Sequence, residues 1–216
     1  MGRKEEAYEY IKEAILTNRL KPGMPVREMD IVEQLKMSRT PIREAMRDLE
    51  AEGLVSSFSS RGTFVASITP YDVEEISELR TLLEVWALER SFNRITDEEL
   101  TYLQEELEQA KKTGDWERNH RADRLFHKLI VEKSGSRRVI QFINNLNTQI
   151  ERIRRVSARH SGRSQLSYAE HMEIIRCIRS GDLEASCAAL KKHLQSVGAS
   201  AIEAARGMDI EFHIDK

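Results

Sequence analysis

Cysteine, proline, glycine and an excess of either charge are all scarce in this chain, and each shortage removes a class of protein. Its two cysteines, Cys177 and Cys187, offer neither a metal-binding CxxC spacing nor enough thiols for a disulfide framework. They are read as small apolar core members. Four prolines and ten glycines in 216 residues leave no large low-complexity or disordered segment. No apolar run approaches the roughly 20 residues that a membrane span needs, and the opening MGRKEEAYEY lacks the apolar core of a secretory signal, so a cytoplasmic protein with no membrane partner is expected. The formal net charge is only -2, and residues 1–66 hold as many acidic as basic side chains. Any nucleic-acid partner must therefore be argued from local geometry.

What remains is rich in helical periodicity, with 40% hydrophobic and 32% charged residues. The segment EEAYEYIKEAILTNRL places Tyr8, Ile11 and Ile15 on one face and stops at Lys21-Pro22-Gly23. A short second helix follows in EMDIVEQLKM, too short to stand without packing partners. SRTPIREAMRDLEAEG, residues 38–53, gives a third, with Ile42, Ala45, Met46 and Leu49 inward and Gly53 at its end. Ser38 suits its N-cap, or Thr40 with Pro41 in the first helical position. LVSSFSSRGTFVASI then predicts two strands, Val55 to Phe58 and Thr63 to Ile68, joined at Arg61-Gly62. Three short helices and a hairpin make a winged helix-turn-helix over residues 1–68, and this motif lays its third helix in the major groove of DNA.

From Thr69-Pro70 onward no strand pattern occurs. Val73, Ile76, Leu79, Leu83 and Trp86 form one helical face, and Thr96 with Glu99 carries a capping-box signature. Asp115 opens a helix reaching about Ser134, and further helices are expected near 136–156, 167–178 and 182–205. The fold class is mainly α: the winged domain followed by an all-helical antiparallel bundle over residues 69–216.

Arg39, Arg43 and Arg47 lie one helical turn apart on the outer side of the third helix. Arginine can pair bidentately with guanine or clamp a phosphate. The alternative is a solvated face, since Glu44, Asp48 and Glu50 stand close by. Ser38 and Thr40 add short hydroxyls at a helix N-terminus that already favours phosphate. Arg61-Gly62 would bring a cation and close backbone approach at the wing tip.

REMDIVEQLKMSRTPIREAMRDLEAEGLV followed by SRGTFV resembles the DNA-binding domain of GntR-family bacterial transcription regulators. The resemblance implies a dimer acting on a short palindromic duplex operator. It assigns DNA contact to Ser38, Arg39, Thr40 and Arg43 on the recognition helix and to Arg61 and Gly62 on the wing. Where some members place an arginine on the second helix, this chain has Met29.

In the bundle, Asp123 and His127 are one turn apart and on the side of Ile130 and Val131, His171 shares a face with Ile174, Ile175 and Ile178, and His193 shares one with Leu190 and Val197. A single histidine on such a stripe is ordinarily a hydrogen-bonded core residue. Four polar groups buried without partners would cost about 1–3 kcal/mol each, and one divalent cation would satisfy them all. Three imidazoles and a carboxylate suit zinc or nickel, with manganese or iron as further candidates, and leave a position open for ligand.

This region resembles the FCD effector-binding domain of the FadR subfamily, whose D-x3-H, H, H pattern is matched in order by Asp123, His127, His171 and His193. The resemblance implies a metal site and a small carboxylate effector, and it puts Arg80 forward as an effector contact. Arg80 could instead pair with Glu84 at the surface. His120, one or two turns from Asp123 and His127, is read first as exposed, with a supporting place behind the metal ligands as the alternative, and His160 and His213 fall outside the pattern. A metalloenzyme is the rival from another class, but no HExxH, partnered nucleophile or glycine-rich phosphate loop occurs. A DNA-binding regulator with a purely structural metal is the third.

Overall fold

The computed structural model describes residues 2–157 and 163–214, with side chains described up to Arg155 and from Arg163 to Arg206. The described residues fall into two units, Met1–Ile68 with Leu146–Arg152, and Thr69–Asn145 with Ile153–Lys216.

In the first unit α1 (Arg3–Leu16), α2 (Glu28–Leu35) and α3 (Arg39–Ala51) precede a hairpin of β1 (Val55–Phe58) and β2 (Gly62–Val65). The strands pair antiparallel, with Val55 opposite Val65 and Phe58 opposite Gly62. The backbone N–H of Val26 donates to the carbonyl of Thr63 at 2.8 Å, so the segment before α2 adds an edge to the wing. The core consists of Ile11 and Ile15 from α1, Ile31 from α2, Ile42, Ala45, Met46 and Leu49 from α3, and Leu54, Val55 and Val65 from the wing. These are the apolar positions of the periodic stripes, and their burial rather than helix propensity holds such short helices. The second strand ends at Val65, short of the expected Ile68, with one further cross-strand bond from the backbone N–H of Ala66 to the carbonyl of Leu54 at 2.9 Å.

The second unit contains α4 (Pro70–Ser91), a short 3-10 turn at Phe92–Arg94, α5 (Asp97–Thr113), α6 (Trp116–Lys133), both ends of α7 (Arg137–Ser157), α8 (Arg163–Arg179) and α9 (Leu183–Ile214). Capping boxes at Thr69 with Asp72 and at Thr96 with Glu99 start α4 and α5. Gly114, at φ +63°, ends α5 in the left-handed region. α4 packs on α9 and α6, α8 on α9 and α5, and α5 on α6. No helix among the described residues is long and apolar enough to cross a membrane.

The inner face of α4 departs from its hydropathy pattern. Leu79 and Trp86 are exposed, whereas Arg80 and Glu84 are buried beside Val73, Ala87 and Leu88. A charged pair inside a helical bundle requires partners there, and the site supplies them.

Candidate metal centre and nucleic-acid interface

Asp115 caps α6, its side chain accepting from the backbone N–H of Glu117 at 3.0 Å. The inward stripe of α6 holds Ala122, Phe126, His127, Ile130 and Val131, with Asp123 one turn before His127. α8 buries His171 with Ile174, Ile175 and Ile178, and α9 buries His193 with Leu190, Leu194 and Val197. One donor atom from each of Asp123, His127, His171 and His193 lies within 4.8 Å of the other three.

His127 Nε2 stands 3.3 Å from His193 Nε2 and 3.5 Å from His171 Nε2. Asp123 Oδ1 is 3.5 Å from His171 Nε2 and 3.7 Å from His127 Nε2. Ligands about 2.0–2.1 Å from a tetrahedral zinc are themselves about 3.4 Å apart, close to these four separations, and the donor elements suit a divalent transition metal. Phe126 closes the apolar side, its ring centroid 4.6 Å from that of His171 and 5.4 Å from that of His127.

The far sides of two imidazoles are fixed by carboxylates. His127 Nδ1 lies 2.5 Å from Glu84 Oε2, and Glu84 Oε1 accepts from Arg80 Nε at 2.6 Å. His193 Nδ1 lies 2.7 Å from Glu170 Oε2, and Glu170 accepts from both terminal nitrogens of Arg163. A proton placed on each Nδ1 leaves Nε2 with its lone pair directed at the cluster. His171 Nδ1 is buried with no hydrogen-bond partner among the described residues.

Electrostatics agree with this division. Burial opposes ionisation of Glu84, but the charge of Arg80 and the contact with His127 outweigh it and bring the group down to about 2. Burial likewise resists the Glu170 charge, and the bonds from His193 and Arg163 bring it to about 2. Asp123 is held well below the ordinary carboxylate range despite its burial, chiefly by Arg154, whose Nε is 2.6 Å from Oδ2. Burial moves the other way for the imidazoles, pushing His193 down to about 4 and His171 well below its ordinary value. Both are neutral at pH 7, as metal ligation requires.

A pocket of about 590 Å3, including its open mouth, reaches this cluster, with His171 and Asp123 in its wall. Leu107, Trp116 and Val197 give it apolar surface, while Arg154 and Arg163 give it positive charge. That mixture suits a small organic anion. His120 also lines it, buried and stacked on Trp116 at 5.0 Å, so its expected exposure is not found. Tryptophan four residues earlier was the signal for its inward position. Arg80 does not line the pocket; the structure places it behind Glu84. His160 and the side chain of His213 lie outside the described residues.

Sequence patterning missed Glu84, Glu170, Arg154 and Arg163. The i, i+4 spacing of Arg80 and Glu84 hints at one pair, but nothing local links Glu170 to His193, 23 residues away.

On the first unit, Lys36 adopts a left-handed conformation at φ +48° and Met37 is buried, which makes the turn between α2 and α3. Ser38 occupies the N-cap of α3 without spending its hydroxyl on the cap. Ser38, Arg39, Thr40 and Arg43 are all exposed along the start of α3. Arg43 Nε donates to the Glu28 carboxylate at 2.8 and 3.0 Å, and Arg39 Nη2 lies 2.9 Å from Met29 Sδ. On the wing, Arg61 lies over the Phe58 ring at 4.8 Å, and Gly62 takes φ +88°, which side chains with a Cβ rarely adopt.

Comparison with known proteins bears on both units. The family model described as "Bacterial regulatory proteins, gntR family" matches residues 3–65, and that of the FCD domain matches residues 75–196. The HTH-type transcriptional regulator YdhC of Bacillus subtilis (strain 168) is 32% identical over 184 residues, covering 83% of this chain and 82% of that protein. The crystal structure of a transcriptional regulator GntR from Rhodococcus sp. RHA1 shares the fold, with a TM-score of 0.77 at 22% identity over 94% of this chain and 99% of that one. The Zn2+-bound FCD domain of TM0439 matches with a TM-score of 0.58 and 29% identity, covering 64% of this chain and 96% of that one.

Proposed function

The chain belongs to the gntR family of bacterial regulatory proteins and carries an FCD domain, so it is a transcription regulator of the helix-turn-helix type rather than an enzyme, and from that premise we propose how it is controlled. It binds a duplex operator through Ser38, Arg39, Thr40 and Arg43 of α3 and through Arg61 and Gly62 of the wing. It holds a divalent metal, zinc or nickel first, on Asp123, His127, His171 and His193. A small carboxylate entering the neighbouring pocket changes its affinity for the operator.

The observation that carries this proposal is the meeting of four donor atoms beside a cationic pocket, with Asp123 and His171 in its wall. A metal there would supply positive charge and an open coordination position to an acid. Arg154 and Arg163 add charge beside it, Trp116 and Leu107 receive the apolar part of the guest, and the buried Phe126 excludes water from one side. Arg80 contributes by holding Glu84 on His127 rather than by touching the acid.

Leu79, Leu82 and Trp86 form an exposed apolar stripe on α4, which supports self-association through the helical unit. A two-fold dimer acts on a palindromic operator, and an effector alters DNA affinity only as far as it favours one dimer geometry over another. The protein acts in the cytoplasm, where operator DNA is found.

Elemental analysis of protein purified without chelator, beside His127→Ala and His171→Ala, tests the metal. About one divalent ion per chain is expected in the wild type and far less in the variants. Metal-free wild-type protein would contradict the site.

A further inference from the structure

Two imidazoles of the cluster are backed by the same device, a carboxylate held by an arginine, but the two copies differ in access. Arg80 and Glu84 are both buried and neither lines the pocket. Arg163 is 3% exposed and lines the pocket; among the described residues its buried Nε has no acceptor, as is also true of Arg80 Nη2, so access to the pocket is what separates the two. Its terminal nitrogens are occupied by Glu170, at 3.2 and 2.5 Å, and by Ser196 Oγ at 3.2 Å. Glu170 in turn holds His193 Nδ1 at 2.7 Å. An unbroken chain of polar contacts therefore runs from the pocket wall through Arg163 and Glu170 to a metal-ligating imidazole.

We propose that Arg163 is the pocket's anion receptor and that, through Glu170 and His193, it makes the metal site respond to whether an anion is bound. This rests on the metal site proposed above. A carboxylate arriving at Arg163 competes with Glu170 and Ser196 for the terminal nitrogens of its fork. Glu170, released in part from the guanidinium, concentrates its charge on the Nδ1 proton of His193. That makes the imidazole a stronger ligand, because the acceptor behind a metal-bound histidine sets its basicity. Occupied pocket and occupied metal site thus favour each other, and by linkage each strengthens the other by the same factor. Arg80 and Glu84, shut away from the pocket, perform the constant half of the task and hold His127 in one orientation whatever the pocket contains.

The test measures zinc affinity of the full-length protein by competition with a chromophoric chelator, with and without acetate as the anion. The chelator is calibrated in each buffer, and helical circular dichroism checks that every variant folds. Acetate is expected to tighten zinc binding by the wild type at least about fivefold. Arg163→Gln and Arg163→Lys, which lose the fork, should show no such response while still binding zinc. Glu170→Gln should bind zinc about 10–100-fold more weakly, as loss of such a support ordinarily does. The proposal is overturned if acetate leaves wild-type zinc affinity unchanged, if either Arg163 variant responds as the wild type does, or if Glu170→Gln binds zinc normally. Failure of the metal site itself looks different: neither the wild type nor His171→Ala would take up zinc in any buffer.

Discussion

His127 and His193 point their Nε2 atoms at each other across 3.3 Å, while the Nδ1 atom of each is held from behind by a different carboxylate. Two imidazoles so constrained, each with a carboxylate to take an Nδ1 proton, favour a cation at the meeting point of their Nε2 atoms. Saturating zinc should therefore stabilise the protein strongly, by about 4 kcal/mol at a thousand times its dissociation constant. Thermal denaturation of chelator-treated and zinc-loaded protein checks this, and His193→Ala should show little of the gain.

The metal-free protein should lose stability early in an acid titration. The folded pKa of His193 is depressed to about 4, so its contribution is complete above the unfolded value of 6.5 and is lost as pH falls from 6.5 toward 4. That single group accounts for about 3 kcal/mol, and His171, also depressed, acts in the same direction. Below about 4.5 the depressed Glu84 and Glu170 add a second loss that runs down to about 2. Urea unfolding at pH 7, 5.5 and 4.5 measures the first limb; stability unchanged between pH 7 and 4.5 would contradict it.

Phe126→Ala should cost about 3–5 kcal/mol, as truncation of a buried aromatic ring does. Because the ring packs on His127 and His171, the variant should also hold zinc less tightly than the wild type. Denaturant midpoints and chelator competition on the same preparation check both effects.

Arg43 is tied to Glu28 when DNA is absent. The pair is exposed and weak, so Arg43 leaves it at little cost. Glu28→Gln removes the competitor and a negative charge, and should tighten binding to duplex DNA by about two- to fivefold. Arg43→Ala should weaken binding to the cognate operator by about 1–3 kcal/mol where it reads a base. Fluorescence anisotropy at fixed salt measures both; equal affinity for the wild type and both variants would remove this helix from the interface.

The winged unit and the capped helices were legible in the sequence because their signals are local. The apolar stripe of α3, the capping box at Thr96, and the glycine between the strands each act within a few residues. The three histidines were visible for a related reason, since each interrupts an otherwise apolar helical face. Glu84, Glu170 and Arg163 were not. A carboxylate or guanidinium on a helix is ordinarily solvated, and only the packing of α4 on α6 and of α8 on α9 shows that these meet a partner. Glu84 and His127 are 43 residues apart, beyond the reach of any periodic pattern. α4 misled for the same reason: its inner face carries Arg80 and Glu84, so hydropathy pointed toward Leu79 and Trp86 instead.

The most direct test of metal-dependent control is the affinity of the full-length protein for an operator recovered from its own genomic DNA, measured in four states. These are chelator-treated and zinc-loaded protein, each with and without a panel of small carboxylates. Operator affinity should change by at least about fivefold only when zinc and an acid of the panel are both present, and His171→Ala should abolish the change. Operator binding that is the same in all four states, or an acid effect that persists in His171→Ala, would contradict the account.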